Sequence, residues 1–218
     1  MDDIVIRVEG VYKRFGTDTV LKDVSRSFER GRIHGIVGNN GSGKTVLMKC
    51  ICGFLIPDSG SITVNGERVS VDVDFPRDMG LIIETPGFLP NVTGMKNLEI
   101  LASLNKKIGL REIAASMRAV SLDPSMNKPV GKYSLGMRQR LGIAQAIMEN
   151  PSLLILDEPL NGLDKHGVRE MRQLIKGLKE QGKTILLASH NQGDIDELCD
   201  TVCEMDNGIL TAIREYEE

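Results

Sequence analysis

Between an apolar stretch ending at Val37 and a helix-spaced stretch beginning at Thr45 stand Gly38-Asn39-Asn40-Gly41-Ser42-Gly43-Lys44-Thr45. The pattern is G-x-x-x-x-G-K-[ST], which cradles phosphates when a strand precedes it and a helix follows. Glycines let the backbone curl until consecutive N–H groups point at phosphate oxygens, and the helix starting there adds its positive dipole end. Lys44 would bring a mobile cation to the β- and γ-phosphates, and the Thr45 hydroxyl is placed to ligate magnesium. The plain alternative is a glycine-rich turn with a chance Lys-Thr, and the agreement of motif and flanks disfavours it.

Such a site needs a carboxylate for its metal. Leu153-Leu154-Ile155-Leu156-Asp157-Glu158 offers one, an apolar run delivering acids at its C-terminal edge, where ligands sit in open α/β sheets. Asp157 would hold magnesium and Glu158 would face the attacking water as general base. His190, ending Leu186-Leu187-Ala188-Ser189-His190, would by itself be an ordinary surface histidine at a strand end.

The flanking elements must hold these residues together. Alternation predicts strands over 4–8, 24–28, 33–37, 60–64 and 79–83, with Asn65-Gly66 as a hairpin turn. Thr93 is a plausible N-cap for a helix through about Leu104, and helical periods cover 111–120 and 135–148. The last third alternates again: a buried strand at 153–156, a helix at 167–180, a strand at 184–188, a short helix at 194–199 and a hairpin turning at Asn207-Gly208. Strand-helix-strand alternation around a helical insert implies an α/β fold with a mostly parallel sheet.

Composition excludes several classes. The 218 residues are 41% hydrophobic and 26% charged, enough for one sizeable core. Aromatics are 4% with no Trp, and the net charge is -3, so a nucleic-acid partner is not expected. Cys50, Cys52, Cys199 and Cys203 complete no zinc pattern and read as buried, reduced thiols. Met1-Asp2-Asp3-Ile4 lacks an apolar stretch of signal-peptide length, and nothing approaches a membrane span.

Three further motifs decide the family. Tyr133-Ser134-Leu135-Gly136-Met137, followed by Arg138-Gln139-Arg140-Leu141, resembles the signature sequence of ATP-binding-cassette (ABC) ATPases. Asn161-Gly162-Leu163-Asp164 resembles that family's D-loop, and His190 its switch histidine. Order and spacing match along essentially the whole chain. The resemblance implies a P-loop NTPase core with an antiparallel β subdomain and an inserted α-helical subdomain. The core would comprise residues 1–83 and 150–218, and the helical lobe 84–149. It implies ATP and Mg2+ as ligands, with Lys44, Glu158 and His190 in catalysis and Thr45 and Asp157 on the metal. It also implies a head-to-tail dimer, in which Ser134 and Gly136 close on the γ-phosphate of the facing subunit. Phe15, in Lys13-Arg14-Phe15-Gly16, takes the adenine-stacking position, with Tyr12 as the fallback.

Two departures stand out. Leu135 and Met137 replace the signature's usual Gly and Gln, and the usual Q-loop glutamine falls at Glu84. Glu84 still offers an oxygen to magnesium or water, but adds negative charge beside the triphosphate. The forms around Glu84 and Ser134 look most like bacterial exporters of antibiotics, peptides or lantibiotics. The expected role is therefore an ATPase subunit on the cytoplasmic face of the membrane. A separate permease would hold it there, and the apolar loop Pro86-Gly87-Phe88-Leu89-Pro90 would serve for docking. Phe88 could equally tuck into the helical lobe. A second ATPase subunit completes the site, and one chain carrying both half-sites permits a homodimer. Two other readings stay open: a soluble relative acting on ribosome or DNA, and a nucleotide-gated assembly module with little turnover.

Overall fold

The computed structural model describes residues 3–85 and 87–215. Met1 and Asp2 of the acidic opening and Pro86 of the apolar loop lie outside the described residues. Two sheets share the core. The first is antiparallel, with strand order β2-β1-β4-β5, built from β1 (Ile4–Phe15), β2 (Asp18–Glu29), β4 (Ser59–Val64) and β5 (Glu67–Arg68). The second has six strands in the order β10-β9-β3-β8-β7-β6. They are β3 (Ile33–Val37), β6 (Met79–Ile82), β7 (Leu153–Asp157), β8 (Thr184–Ser189), β9 (Thr201–Asp206) and β10 (Ile209–Arg214). All its pairings are parallel except the β9–β10 hairpin at the edge.

β3, β7 and β8 are buried along their whole length, which is why their sequences read as unbroken apolar runs. Their side chains still alternate by face. Leu153 and Ile155 join a core with Leu47, Met48 and Ile51 of α1 (Lys44–Ile51) and with Val5, Val8 and Phe28 of the antiparallel sheet. Leu154 and Leu156 turn to the other core, which holds Met171 and Ile175 of α5 (Lys165–Glu180) and Ile195 of α6 (Gln192–Leu198). Each strand is thus covered on both faces. The helical portion between β6 and β7 extends this second core. It contains α2 (Gly94–Asn105), α3 (Leu110–Ala119) and α4 (Leu135–Ile147). Thr93 caps α2 as the sequence predicts, its side chain accepting from the Lys96 N–H at 3.2 Å.

The strands of the first hairpin are twice as long as their apolar alternation suggests. β1 continues through a register shift between Val8 and Val11, where Gly10 takes a φ of 56°. Its end, Lys13-Arg14-Phe15, pairs with Leu21, Thr19 and Asp18 in turn, and further register shifts on either side of Lys13 break the alternation that would mark it as a strand.

Phe88 is partly buried and packs against the helical core, so the apolar loop presents Leu89, half-exposed, rather than Phe88. The buried Asn97 of α2 fixes the loop from below. Its side chain accepts from the Leu89 N–H at 2.7 Å and donates to the Leu89 carbonyl at 3.1 Å. All four cysteines are buried and free, and burial pushes the Cys52 and Cys199 thiols up to about 12. No helix among the described residues is long and apolar enough to cross a membrane.

Candidate functional site

β3 ends at Val37 and the chain curls through residues 38–43 before α1 begins. Gly38 has a φ of 152°, and a Cβ there would stand 2.2 Å from the Met205 carbonyl oxygen, so only glycine fits. The curl turns the Lys44 side chain back on its own loop. Its ammonium donates to the carbonyls of Gly38 at 2.6 Å and Asn39 at 3.2 Å. The Ser42 hydroxyl is buried with no partner among the described residues. An orphan hydroxyl costs about 1–3 kcal/mol, so an acceptor such as a phosphate oxygen fits there.

β7, packed between β6 and β8, carries Asp157 to the same place. Thr45 Oγ1 donates to Asp157 Oδ2 at 2.6 Å across 112 residues of chain. Asp157 is 6% exposed, and among the described residues it forms no salt bridge. Burial, first of all, pushes its carboxyl pKa up; the Thr45 hydrogen bond opposes the rise and the Glu158 charge adds to it. A buried carboxylate beside a hydroxyl, short of positive charge, is a donor set suited to a hard divalent cation.

The next residue leaves the strand sharply. Glu158 takes a left-handed φ of 51°, and its N–H donates to the Ala188 carbonyl at 2.9 Å. Glu158 Oε1 stands 2.9 Å from His190 Nδ1. Its backbone carbonyl accepts from Gln139 Nε2 of α4 at 3.1 Å and from the Asn161 N–H at 3.2 Å. A carboxylate fastened this way, with an imidazole against it, has the geometry of a positioned base.

One open cleft of about 510 Å3 collects these groups, with residues 40–45, Glu84, Asp157 and Glu158 on its walls. Gly38 and Asn39 hold Lys44 from behind, and His190 reaches the cleft through Glu158. Phe15 is not on the walls of this cleft; it is 47% exposed at the tip of the β1–β2 hairpin, with the Lys13 ammonium 5.6 Å above its ring. Val20, on the other strand of that hairpin, does line the cleft. Ser134 caps α4, its hydroxyl accepting from the Met137 N–H at 3.2 Å. Gly136 lies against the Gly162 carbonyl. Neither lines the cleft, although their neighbours Leu135 and Gln139 do. Glu84 does not stand free beside the cleft, because Lys49 pairs with it at 2.7 Å. Sequence reasoning missed the roles of Gln139 and Lys49, since a lone Gln or Lys on a helix carries no pattern.

A profile described as ABC transporter matches residues 21–161. The chain belongs to the ABC transporter family. It is 42% identical over 206 residues, 94% of each chain, to the uncharacterized ABC transporter ATP-binding protein YybJ of Bacillus subtilis (strain 168). It is 39% identical over 210 residues to the bacitracin transport ATP-binding protein BcrA of Enterococcus faecalis, covering 95% of this chain and 68% of that one. The lantibiotic transport ATP-binding protein SrtF of Streptococcus pyogenes is 34% identical over 216 residues, 98% of this chain and 92% of its own. Among solved structures, that of the ATP binding subunit of an ABC transporter superposes with a TM-score of 0.85 at 27% identity, over 96% of this chain and 90% of that one. A dimeric bacterial ABC transporter cassette, 22% identical, shares the fold at a TM-score of 0.86 over 97% of this chain and all of that one. This ABC protein is accordingly an ATP-binding subunit whose ATP hydrolysis is coupled to transport, in a family whose ATPase subunits dimerise and pair with permeases.

Proposed function

We propose that this ABC subunit energises export of an antibiotic or peptide from the cytoplasmic face of the membrane, held there by a separate permease. The observation that carries the ATPase half is the single cleft joining Lys44, Thr45, Asp157 and the Glu158–His190 pair. Similarity to the bacitracin and lantibiotic transport proteins supports the export half.

In this reading residues 38–45 wrap the ATP phosphates. Lys44 exchanges its two loop carbonyls for β- and γ-phosphate oxygens, and Ser42 gains its missing acceptor. Thr45 and Asp157 hold Mg2+, with Glu84 at the cleft wall as a further oxygen. The metal, when bound, offsets triphosphate charge and orients the phosphates. Glu158 takes the proton of the attacking water, and His190 holds Glu158 in place and contacts the γ-phosphate. Phe15 stacks on adenine from the hairpin tip.

Residues 84–149 form the helical lobe on a core of 1–83 and 150–218. Ser134 and Gly136 complete the site of a second copy, where the N-terminus of α4 meets the γ-phosphate. For the permease, the exposed Phe75 and Leu104, which line a second cleft of about 480 Å3, supply apolar surface for a helix, and the half-exposed Leu89 of the apolar loop supplies more.

The test is purification of the chain from its native membrane together with a multi-span protein, followed by survival under bacitracin or a lantibiotic. Cells with the wild-type subunit should outlive cells carrying Glu158→Gln. Equal survival under every such peptide contradicts export, and co-purification with ribosomes in place of a membrane protein contradicts transport.

A further inference from the structure

On α1, Thr45 and Lys49 are four residues apart and so share one face of the helix. Thr45 points its hydroxyl at Asp157. Lys49, one turn along, donates to Glu84 Oε1 at 2.7 Å. Glu84 comes just after β6 with a left-handed φ of 58°, a conformation that L side chains adopt only against strain. It nevertheless stands on the wall of the cleft that holds Lys44, Asp157 and Glu158.

We propose that Lys49 is the charge partner of Glu84, and that the pair is what lets a carboxylate stand at the rim of a triphosphate site. Three carboxylates, Glu84, Asp157 and Glu158, line a cleft meant for a polyanion, and Lys44 is the one cation on its walls among the described residues. Lys49 supplies the second, from just outside the wall. The Lys49 side chain is 27% exposed and that of Glu84 62%, so the pair adds little to folding. Its consequence lies in the potential of the site. With Lys49 present, Glu84 contributes an oxygen without a net repulsive charge. Without Lys49, an unbalanced carboxylate faces the incoming phosphates. Lys49 is a positioning residue in this account, acting on nucleotide through Glu84.

The inference rests on the cleft taking ATP, and the experiment separates the two. A fluorescent ATP analogue is titrated into the purified chain, in EDTA and again with Mg2+, for the wild type and four variants. Lys49→Met and Lys49→Gln should each weaken binding about tenfold in EDTA, where no metal offsets the loose charge, and less with Mg2+. Lys49→Arg should bind like the wild type. In EDTA, where no metal calls on the Glu84 oxygen, the double variant Lys49→Met with Glu84→Gln should return to within about twofold of the wild type, because removing both charges restores the balance. Neutral variants that bind as the wild type, or more tightly, overturn the proposal. So does a double variant as weak as Lys49→Met alone, which would give Lys49 a role independent of Glu84. A wild-type chain that takes up no nucleotide overturns the site itself, and the proposal with it.

Discussion

If Asp157 is the metal ligand proposed above, its buried charge should cost the folded chain stability when no metal is bound, and replacing it should expose that cost. Its carboxylate is 6% exposed, accepts one hydrogen bond from Thr45, and has the Glu158 and Glu84 charges near it. The nearest cation, Lys44, is occupied by the Gly38 and Asn39 carbonyls. Asp157→Asn keeps an acceptor for Thr45 and removes the buried charge. The expected gain is about 1 kcal/mol, in the range of other relieved active-site residues, which for a chain of this size raises the melting midpoint by roughly 2–4 °C. The comparison is thermal unfolding at pH 7.5 in EDTA without nucleotide. The pH dependence has a definite sign. Because the folded pKa is raised, the wild-type penalty is present above it and vanishes below the unfolded value of about 3.9. The advantage of the Asn variant should therefore shrink as pH falls through the folded pKa. Added MgATP should reverse the ranking, since the wild type gains ligand stabilisation that the variant largely loses. A variant less stable than the wild type in EDTA, or one gaining as much from MgATP, would refute the reasoning.

Other outcomes follow from particular contacts. Phe15→Ala should weaken ATP by about 1–3 kcal/mol while Tyr12→Ala leaves it unchanged; the opposite pattern in an equilibrium titration would move the adenine to Tyr12. His34 is buried, with Nε2 donating to the Glu29 carbonyl at 2.8 Å and Nδ1 2.7 Å from the Thr201 hydroxyl; burial, first of all, lowers its pKa. Its contribution is therefore intact above the unfolded value of about 6.5 and is lost as pH falls below it; His34→Asn should flatten the unfolding midpoint against pH over that range. Gly162 has a φ of 77°, and a Cβ there would meet Leu135 Cδ2 at 2.5 Å, so Gly162→Ala should cost about 1–2 kcal/mol in a denaturant melt. Leu104→Asp, on exposed surface, should leave folding intact yet prevent co-purification with the permease.

Much of this was legible before any coordinates. The loop from Gly38 to Thr45 and the run ending in Asp157-Glu158 carry their chemistry in local spacing, and fully buried parallel strands announce themselves as short apolar runs. The fold class, the helical insert and the closing hairpin at Asn207-Gly208 followed from period and turn chemistry. What stayed hidden was whatever depends on distant residues meeting. Gln139 reaches the Glu158 carbonyl from another helix, and Lys49 lies 35 residues from the Glu84 it neutralises. Phe88 is apolar in a Pro/Gly loop, and only packing decides that it turns inward while Leu89 faces out. The far ends of β1 and β2 were hard to read because register shifts around Val11 and Lys13 break the alternation, although Val11 and Leu21 are buried there.

Turnover by Glu158→Gln tests the central claim most directly, measured as phosphate release beside sedimentation in MgATP. The account predicts hydrolysis lower by ~10²–10⁴-fold, and a chain that still binds ATP and sediments as a stable dimer. Hydrolysis at the wild-type rate, or loss of nucleotide binding itself, would contradict it.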